Sequence, residues 1–195
     1  MDQAVPPAGI GHNNGPELDG ETTWRSFAWS RARADLLPVL PIEVVRRRVK
    51  RAQELGLPYK TYAGIRASTG RDVIGFLFSS NALHILREGE PLPADRRLRL
   101  EGLVGADRTA VLQPPLTAAT LLNGPVDAVF AAPPSNLGWP EMRDRIRAIL
   151  LERCKPADGY LVIGQTSLER EWSEAGRTAG FLTGERYFDV RSAQV

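Results

Sequence analysis

The chain has 195 residues, with 25 Lys or Arg, 23 Asp or Glu, 43% hydrophobic residues and a formal net charge of +2. That length holds one sizeable domain, or a small helical module joined to a compact α/β domain, and no apolar run is long enough to suggest a membrane partner. The single cysteine, Cys154, excludes an internal disulfide, and His12 and His84 have no second His or Cys at ligand spacing, so no metal site is expected.

The charge is segregated. Residues 24–71 hold 11 Lys or Arg against 3 Asp or Glu, a surplus of +8 that leaves −6 for the rest of the chain. Such a basic segment is either a surface for nucleic acid or another acidic partner, or the wet helix faces of an arginine-rich protein. The opening Met-Asp-Gln has neither a basic n-region nor an apolar h-region, so no secretory signal is expected, and the lone cysteine fits a reducing, cytoplasmic setting.

Residues 1–21 contain Pro6, Pro7 and the run Gly11 to Pro16 without apolar periodicity, and are expected to form a disordered tail. A basic helical module over 22–70 and a Rossmann-like α/β domain over 71–195 should follow. A short helix is expected from Thr23 to about Leu37, with Trp24, Phe27 and Ala28 on one face. Its aromatics, set among Arg25, Arg31 and Arg33, suit either base stacking or packing on the domain. Pro38 and Pro41 break the chain, and Pro41 introduces a helix over about 42–55. Its apolar stripe is Ile42, Val45, Val49 and Ala52, and Arg46, Arg47, Arg48, Lys50 and Arg51 cover the remainder. Gly56 and Pro58 end it. A second helix, about 59–68, puts Tyr59, Tyr62 and Ile65 on one side.

The stretch from Ala52 through Gly56 to Tyr62 and Ile65 resembles a helix-turn-helix. That resemblance implies a DNA-binding regulator in which Lys60, Thr61, Gly64 and Arg66 face a major groove. The nucleic-acid-binding candidates are Arg46, Arg47, Arg51, Lys60 and Arg66, although Arg51 stands where such motifs more often keep an apolar residue. In a competing arrangement the second helix lies against a sheet through Ala63 and Gly64, because Gly70 leaves only a tight link to the next strand.

Four short apolar runs follow, each ending on a small, polar or proline-rich tip. They begin at Val73, Thr109, Val126 and Tyr160 and lead into Ser79-Ser80-Asn81, Gln113-Pro114-Pro115, Pro133-Pro134-Ser135-Asn136 and Gln165-Thr166. Between them lie a loop over 81–92, a helix from Asp95 to Gly105, a short helix over Leu116–Leu122, a turn at Asn123-Gly124-Pro125, and the strongest helix, about 140–154. Met142, Ile146, Ile149 and Leu150 line the core face of that helix, and Cys154, late in it, is expected to be a buried or half-buried thiol. Thr166 and Glu169 have the spacing of a capping box for a helix carrying Leu168, Trp172 and Ala175. Gly180 leads to a last strand over roughly 184–190. The alternation predicts an α/β fold: an open, mostly parallel sheet of about five strands with flanking helices.

Ligands of such sheets sit beyond the carboxyl ends of the strands. The ligand-binding candidates are therefore Ser79, Ser80, Asn81, Gln113, Ser135, Asn136 and Gln165, whose neutral donors and acceptors suit a sugar, nucleotide base or peptide. Ser, Thr and Asn also make turns and helix caps, and Thr166 is expected to do only that. Asp72 and Asp127 lie at strand starts, the wrong end for catalysis in this layout. His84 reads as structural or solvent-facing. No nucleophile with an adjacent base is visible, and the residues themselves name neither a catalytic group nor a cofactor.

From Val126 to Phe181 the chain resembles the later half of class I S-adenosylmethionine-dependent methyltransferases. The run from Asp127 to Phe130 into Pro133-Pro134-Ser135-Asn136 is similar to the Asp-Pro-Pro-Tyr loop of the amino-methyltransferases. Lys155 to Ile163 resembles a later strand of that fold, and Ala179-Gly180-Phe181 the turn before its final hairpin. The resemblance implies a methyltransferase-like domain, with degenerate features. Ala132 stands where an acidic or amide residue is usual, and Ser79-Ser80-Asn81 replaces the glycine-rich turn that admits the cofactor.

Overall fold

The computed structural model describes residues 40–121 and 124–189. The expected tail, the expected helix over 23–37 and residue 123 of the expected turn lie outside the described residues.

Helix α1, Ile42–Glu54, carries Glu43 in its first turn and Arg51 in its last, each sign matched to the helix dipole. It stops at Gly56, whose φ of 63° suits glycine, and the Leu57 N–H reaches back to the Ala52 carbonyl at 2.8 Å. Helix α2, Tyr59–Thr69, follows at once and ends on Gly70. Ala52, Leu55, Leu57 and Tyr62 are buried, whereas Ile42 is exposed, so the inward face of α1 is centred nearer its C-terminal end than the stripe suggests. Contrary to the close packing expected of Ala63 and Gly64, α2 enters the core through Tyr62. A Cβ on Gly64 would meet nothing within 4 Å.

Five parallel strands make one sheet: β1 Gly75–Ser79, β2 Asp107–Leu112, β3 Ala128–Ala131, β4 Tyr160–Gly164 and β5 Gly180–Thr183. Their order is β3-β2-β1-β4-β5, with Leu77 paired to Thr109 on one side and to Val162 on the other. Helix α3, Ala94–Glu101, precedes β2, and a 3-10 turn, Ala118–Leu121, precedes β3. Helix α4, Trp139–Glu152, links β3 to β4, and α5, Ser167–Gly176, links β4 to β5. The expected strand over 184–190 is instead helix α6, Gly184–Phe188. The strand ends at Thr183, whose hydroxyl accepts the Arg186 N–H at 3.4 Å, and the turn that follows drops Tyr187 and Phe188 into the core.

Side chains alternate across the strands. Phe76, Phe78, Ala110, Leu161 and Ile163 pack with Leu55, Tyr62, Leu100 and Tyr187 on one face. Leu77, Val111 and Val162 pack with Ile146, Leu150 and Trp172 of α4 and α5 on the other. Both faces of the sheet are thus covered by helices, which is why the central strands read as unbroken apolar runs. On the first face the Phe76 and Phe78 rings lie 5.4 Å apart and Tyr187 sits 5.6 Å from Phe78. Truncating such an aromatic residue costs about 3–5 kcal/mol. Cys154 is exposed, because α4 ends before it and the chain turns there with a φ of 52°.

Candidate functional site

Strand order reverses between β1 and β4: the chain moves outward through β2 and β3, then returns past β1. In open α/β sheets the loops at such a reversal diverge and leave a crevice. Here the two loops are tied together. Glu169 is completely buried. One oxygen accepts the Asn81 side-chain amide at 2.8 Å; the other accepts the backbone N–H groups of Gln165 and Thr166. The expected capping box is present, and its glutamate does more than cap: it latches the β1 loop to the start of α5.

The serines at the end of β1 serve the loop itself. Ser79 is fully buried, and its hydroxyl accepts the Ala82 N–H at 3.0 Å. The Ser80 hydroxyl accepts the Gln113 N–H at 3.1 Å, joining the β1 tip to the β2 tip. Ala82 and Gly184 are in close contact, such that a Cβ on Gly184 would lie 2.9 Å from that of Ala82 and 3.1 Å from Gln165 Oε1. The floor of the crevice is therefore filled by protein. What faces outward is Gln165, whose Nε2 donates to Glu185 at 3.1 Å, together with the half-buried Gln113. Ser135 and Asn136 are exposed at the tip of the edge strand β3, two strands away from the reversal, beyond the buried Ala132 and Pro133.

Glu88 ties the loops after β1 and β2 by accepting the Thr117 N–H at 3.0 Å and its hydroxyl at 2.9 Å. His84 has a φ of 56°, and its Nε2 lies 3.0 Å from Nη2 of the buried Arg96. A guanidinium can only donate, so Nε2 is the acceptor and the ring proton sits on Nδ1. Arg96 is held in turn by the Ala82 carbonyl, the Asp95 carboxylate and the face of Phe188. Comparison with protein-family models, with curated proteins and with solved structures finds no match to this chain.

The basic helices form a second constellation, centred on Asp72. Its carboxylate accepts the Tyr62 hydroxyl at 2.8 Å and Arg51 Nε at 3.1 Å, and Arg66 approaches to 3.7 Å. Arg51 also donates to Glu54 and to the carbonyls of Val73, Val104 and Gly105. With its side chain only 19% exposed, Arg51 is an internal tie between α1 and the starts of β1 and β2. Burial, then the hydrogen bond to Asp72, raises the Tyr62 phenol above its ordinary value. Arg46 pairs with Glu43 at 2.6 Å, Arg47 Nε reaches the Glu43 carbonyl at 3.4 Å, and Lys60 is exposed. A groove of about 340 Å³ between α1 and α2 is lined by Arg47, Arg48, Arg51, Tyr62, Arg66 and Asp72.

Sequence reasoning puts Arg48 on a helix surface and Glu169 in a capping box but singles out neither, nor Arg96, as a site residue. The Thr166–Glu169 spacing marks Glu169 as a cap, but its reach to Asn81 spans 88 residues and leaves no local signal.

Proposed function

We propose that this domain binds a small polar or nucleotide-like ligand across the carboxyl ends of its strands. The observation that carries the reading is the reversal of strand order between β1 and β4, with Gln113 and Gln165 presented above a floor made rigid by Glu169. Ser79, Ser80 and Asn81 shape that floor, and Gln113 and Gln165 supply the amides that would meet a ligand. The methyltransferase version of this reading rests on the resemblance over 126–181, and Ser135 and Asn136 would then serve a substrate further along the edge.

The test is calorimetric titration with S-adenosylmethionine and with a panel of nucleosides and nucleotides, followed by backbone amide shifts. The reading expects shifts confined to residues 79–84, 113–117 and 164–167. No heat with S-adenosylmethionine removes the methyltransferase version. No ligand in the panel moving those amides removes the reading.

A second reading, nucleic-acid binding through α1 and α2, is supported by one observation. Lys60 and Gly64 are exposed along one face of α2 while Tyr62 points into the core. Fluorescence anisotropy with a short labelled duplex tests it, and affinity that is absent at low salt refutes it.

A further inference from the structure

We infer that the groove between α1 and α2 is a seat for phosphate groups, and that its occupant is the phosphodiester backbone of a nucleic acid. The inference rests on the second reading above and changes which residues carry it. Four guanidiniums, from Arg47, Arg48, Arg51 and Arg66, converge on a concave surface with Asp72 as the one carboxylate among its lining residues. Even with Glu54, which also pairs with Arg51, the positive charges exceed the negative ones by two. Cations of one sign gathered in a concavity concentrate field there and draw in an anion.

The arginines divide into two kinds. Arg51 has its donors spent on Asp72, Glu54 and three backbone carbonyls, so it holds the groove in shape. Among the described residues Arg48 makes no hydrogen bond or ion pair, and Arg47 bonds only through Nε, to the Glu43 carbonyl. Arg66 stands 3.7 Å from Asp72 and also interacts with the Tyr62 hydroxyl, so it is only partly committed. Arg47, Arg48 and Arg66 therefore offer forked donors that match tetrahedral oxyanions in bidentate fashion. Asp72 fixes the geometry, because the same carboxylate holds Arg51 and the Tyr62 hydroxyl.

Charge surplus favours a polymer over a lone anion. Residues 24–71 carry 11 Lys or Arg against 3 Asp or Glu, a surplus that one bound phosphate does not match. A backbone with regularly spaced phosphates satisfies such a surplus, with one phosphate in the groove and neighbours beside it. In this arrangement the groove between α1 and α2 supplies the anchoring contacts.

The experiment uses the full chain, a labelled 20-bp duplex over a salt series, and inorganic pyrophosphate as a small probe. Arg47→Gln and Arg48→Gln should each lower the slope of log affinity against log salt by about 0.9 and weaken duplex binding roughly tenfold. Arg145→Gln with Arg147→Gln, on the exposed side of α4, removes as much charge as the two groove changes combined and should leave binding within about twofold, as a change outside the contact region does. Unchanged melting temperatures would confirm that the groove variants fold. Duplex binding that survives Arg47→Gln, Arg48→Gln and their combination with its salt slope intact overturns the seat and leaves the nucleic-acid reading standing. Pyrophosphate binding that is lost in the groove variants, with no duplex binding by the native chain, sustains the phosphate seat and overturns the nucleic-acid occupant. Binding of neither probe overturns both.

Discussion

The side-chain amide of Asn81 donates to the carboxylate of Glu169 at 2.8 Å, so the first strand's exit loop and the fourth strand's helix share one buried anion. Its second oxygen is bound by two backbone N–H groups at the start of α5, where a negative charge is also favoured by the helix dipole. Removing one partner from such a group leaves the other to bear the cost of burial. The pair therefore makes the strand-tip crevice a fixed surface.

Asn81→Ala should destabilise the protein by about 1.5–3 kcal/mol, the range for a hydrogen bond to a charged group. Glu169→Gln should cost at least as much, since it also weakens the capping box. Urea unfolding measures both. A loss below about 0.5 kcal/mol, the level of an inert surface change, would show that the latch carries no load.

Arg51 and Arg47 stand one helical turn apart and should behave oppositely. Arg51→Ala removes ties to Asp72, Glu54 and three carbonyls and should cost about 1.5–3 kcal/mol, the range for hydrogen bonds to a charged group. Arg47→Ala should stay within about 0.5 kcal/mol. Equal stabilities for the two variants would refute the division between an internal tie and a free cation.

Asp107, at the start of β2, gives the fold an acid limit. Burial alone would raise its carboxyl, but hydrogen bonds from Arg153 and Thr109 and the charges of Arg153 and Lys155 outweigh that and hold it below the ordinary value. A carboxyl lowered by folding contributes stability that is present above its unfolded pKa, about 3.9, and is lost as pH falls through its folded one. Melting temperature should therefore drop below about pH 4, and Asp107→Asn should be less stable at neutral pH with a flatter acid limb. An unchanged acid limb in that variant would assign the loss to other carboxylates.

The tyrosines set the alkaline limit. Burial, then the nearby Asp107 charge, pushes the Tyr160 phenol up to about 12. Burial also raises that of Tyr187, whose hydroxyl donates to the Leu55 carbonyl at 3.2 Å. Folding favours the neutral phenols, so this stability is complete below about pH 10 and declines as pH rises through the folded values. An absorbance titration should show Tyr160→Phe and Tyr187→Phe each removing a late-titrating component. If the lost component titrates near pH 10, the phenol concerned is not protected by the fold.

Much of the scaffold was legible because it is two-sided. The strands now numbered β1, β2 and β4 are buried on both faces, so their apolar runs need no tertiary information, and Thr166 with Glu169 announces a helix start by spacing alone. Tyr187 and Phe188 misled for the same reason: apolar residues near a chain end fit a strand until the capping hydroxyl of Thr183 is taken into account. The site was less legible. Ser79, Ser80 and Asn81 present identical chemistry whether they meet a ligand or a neighbouring loop, and only the partners Ala82, Gln113 and Glu169 decide between the two. Arg51 did leave a trace, since a cation at a position suited to an apolar residue marks a side chain turned inward.

Helix α1 is fastened by almost the last described residues of the chain. The Tyr187 hydroxyl bonds the Leu55 carbonyl across 132 positions, and Arg99 bridges the carbonyls of Gly56 and Tyr187. During synthesis the basic helical pair emerges before the sheet, yet these closing contacts cannot form until α6 has left the ribosome. The nascent chain thus carries its arginine-rich helices only partly fastened until the last strand and α6 have been made, and their final seating is a late, long-range step.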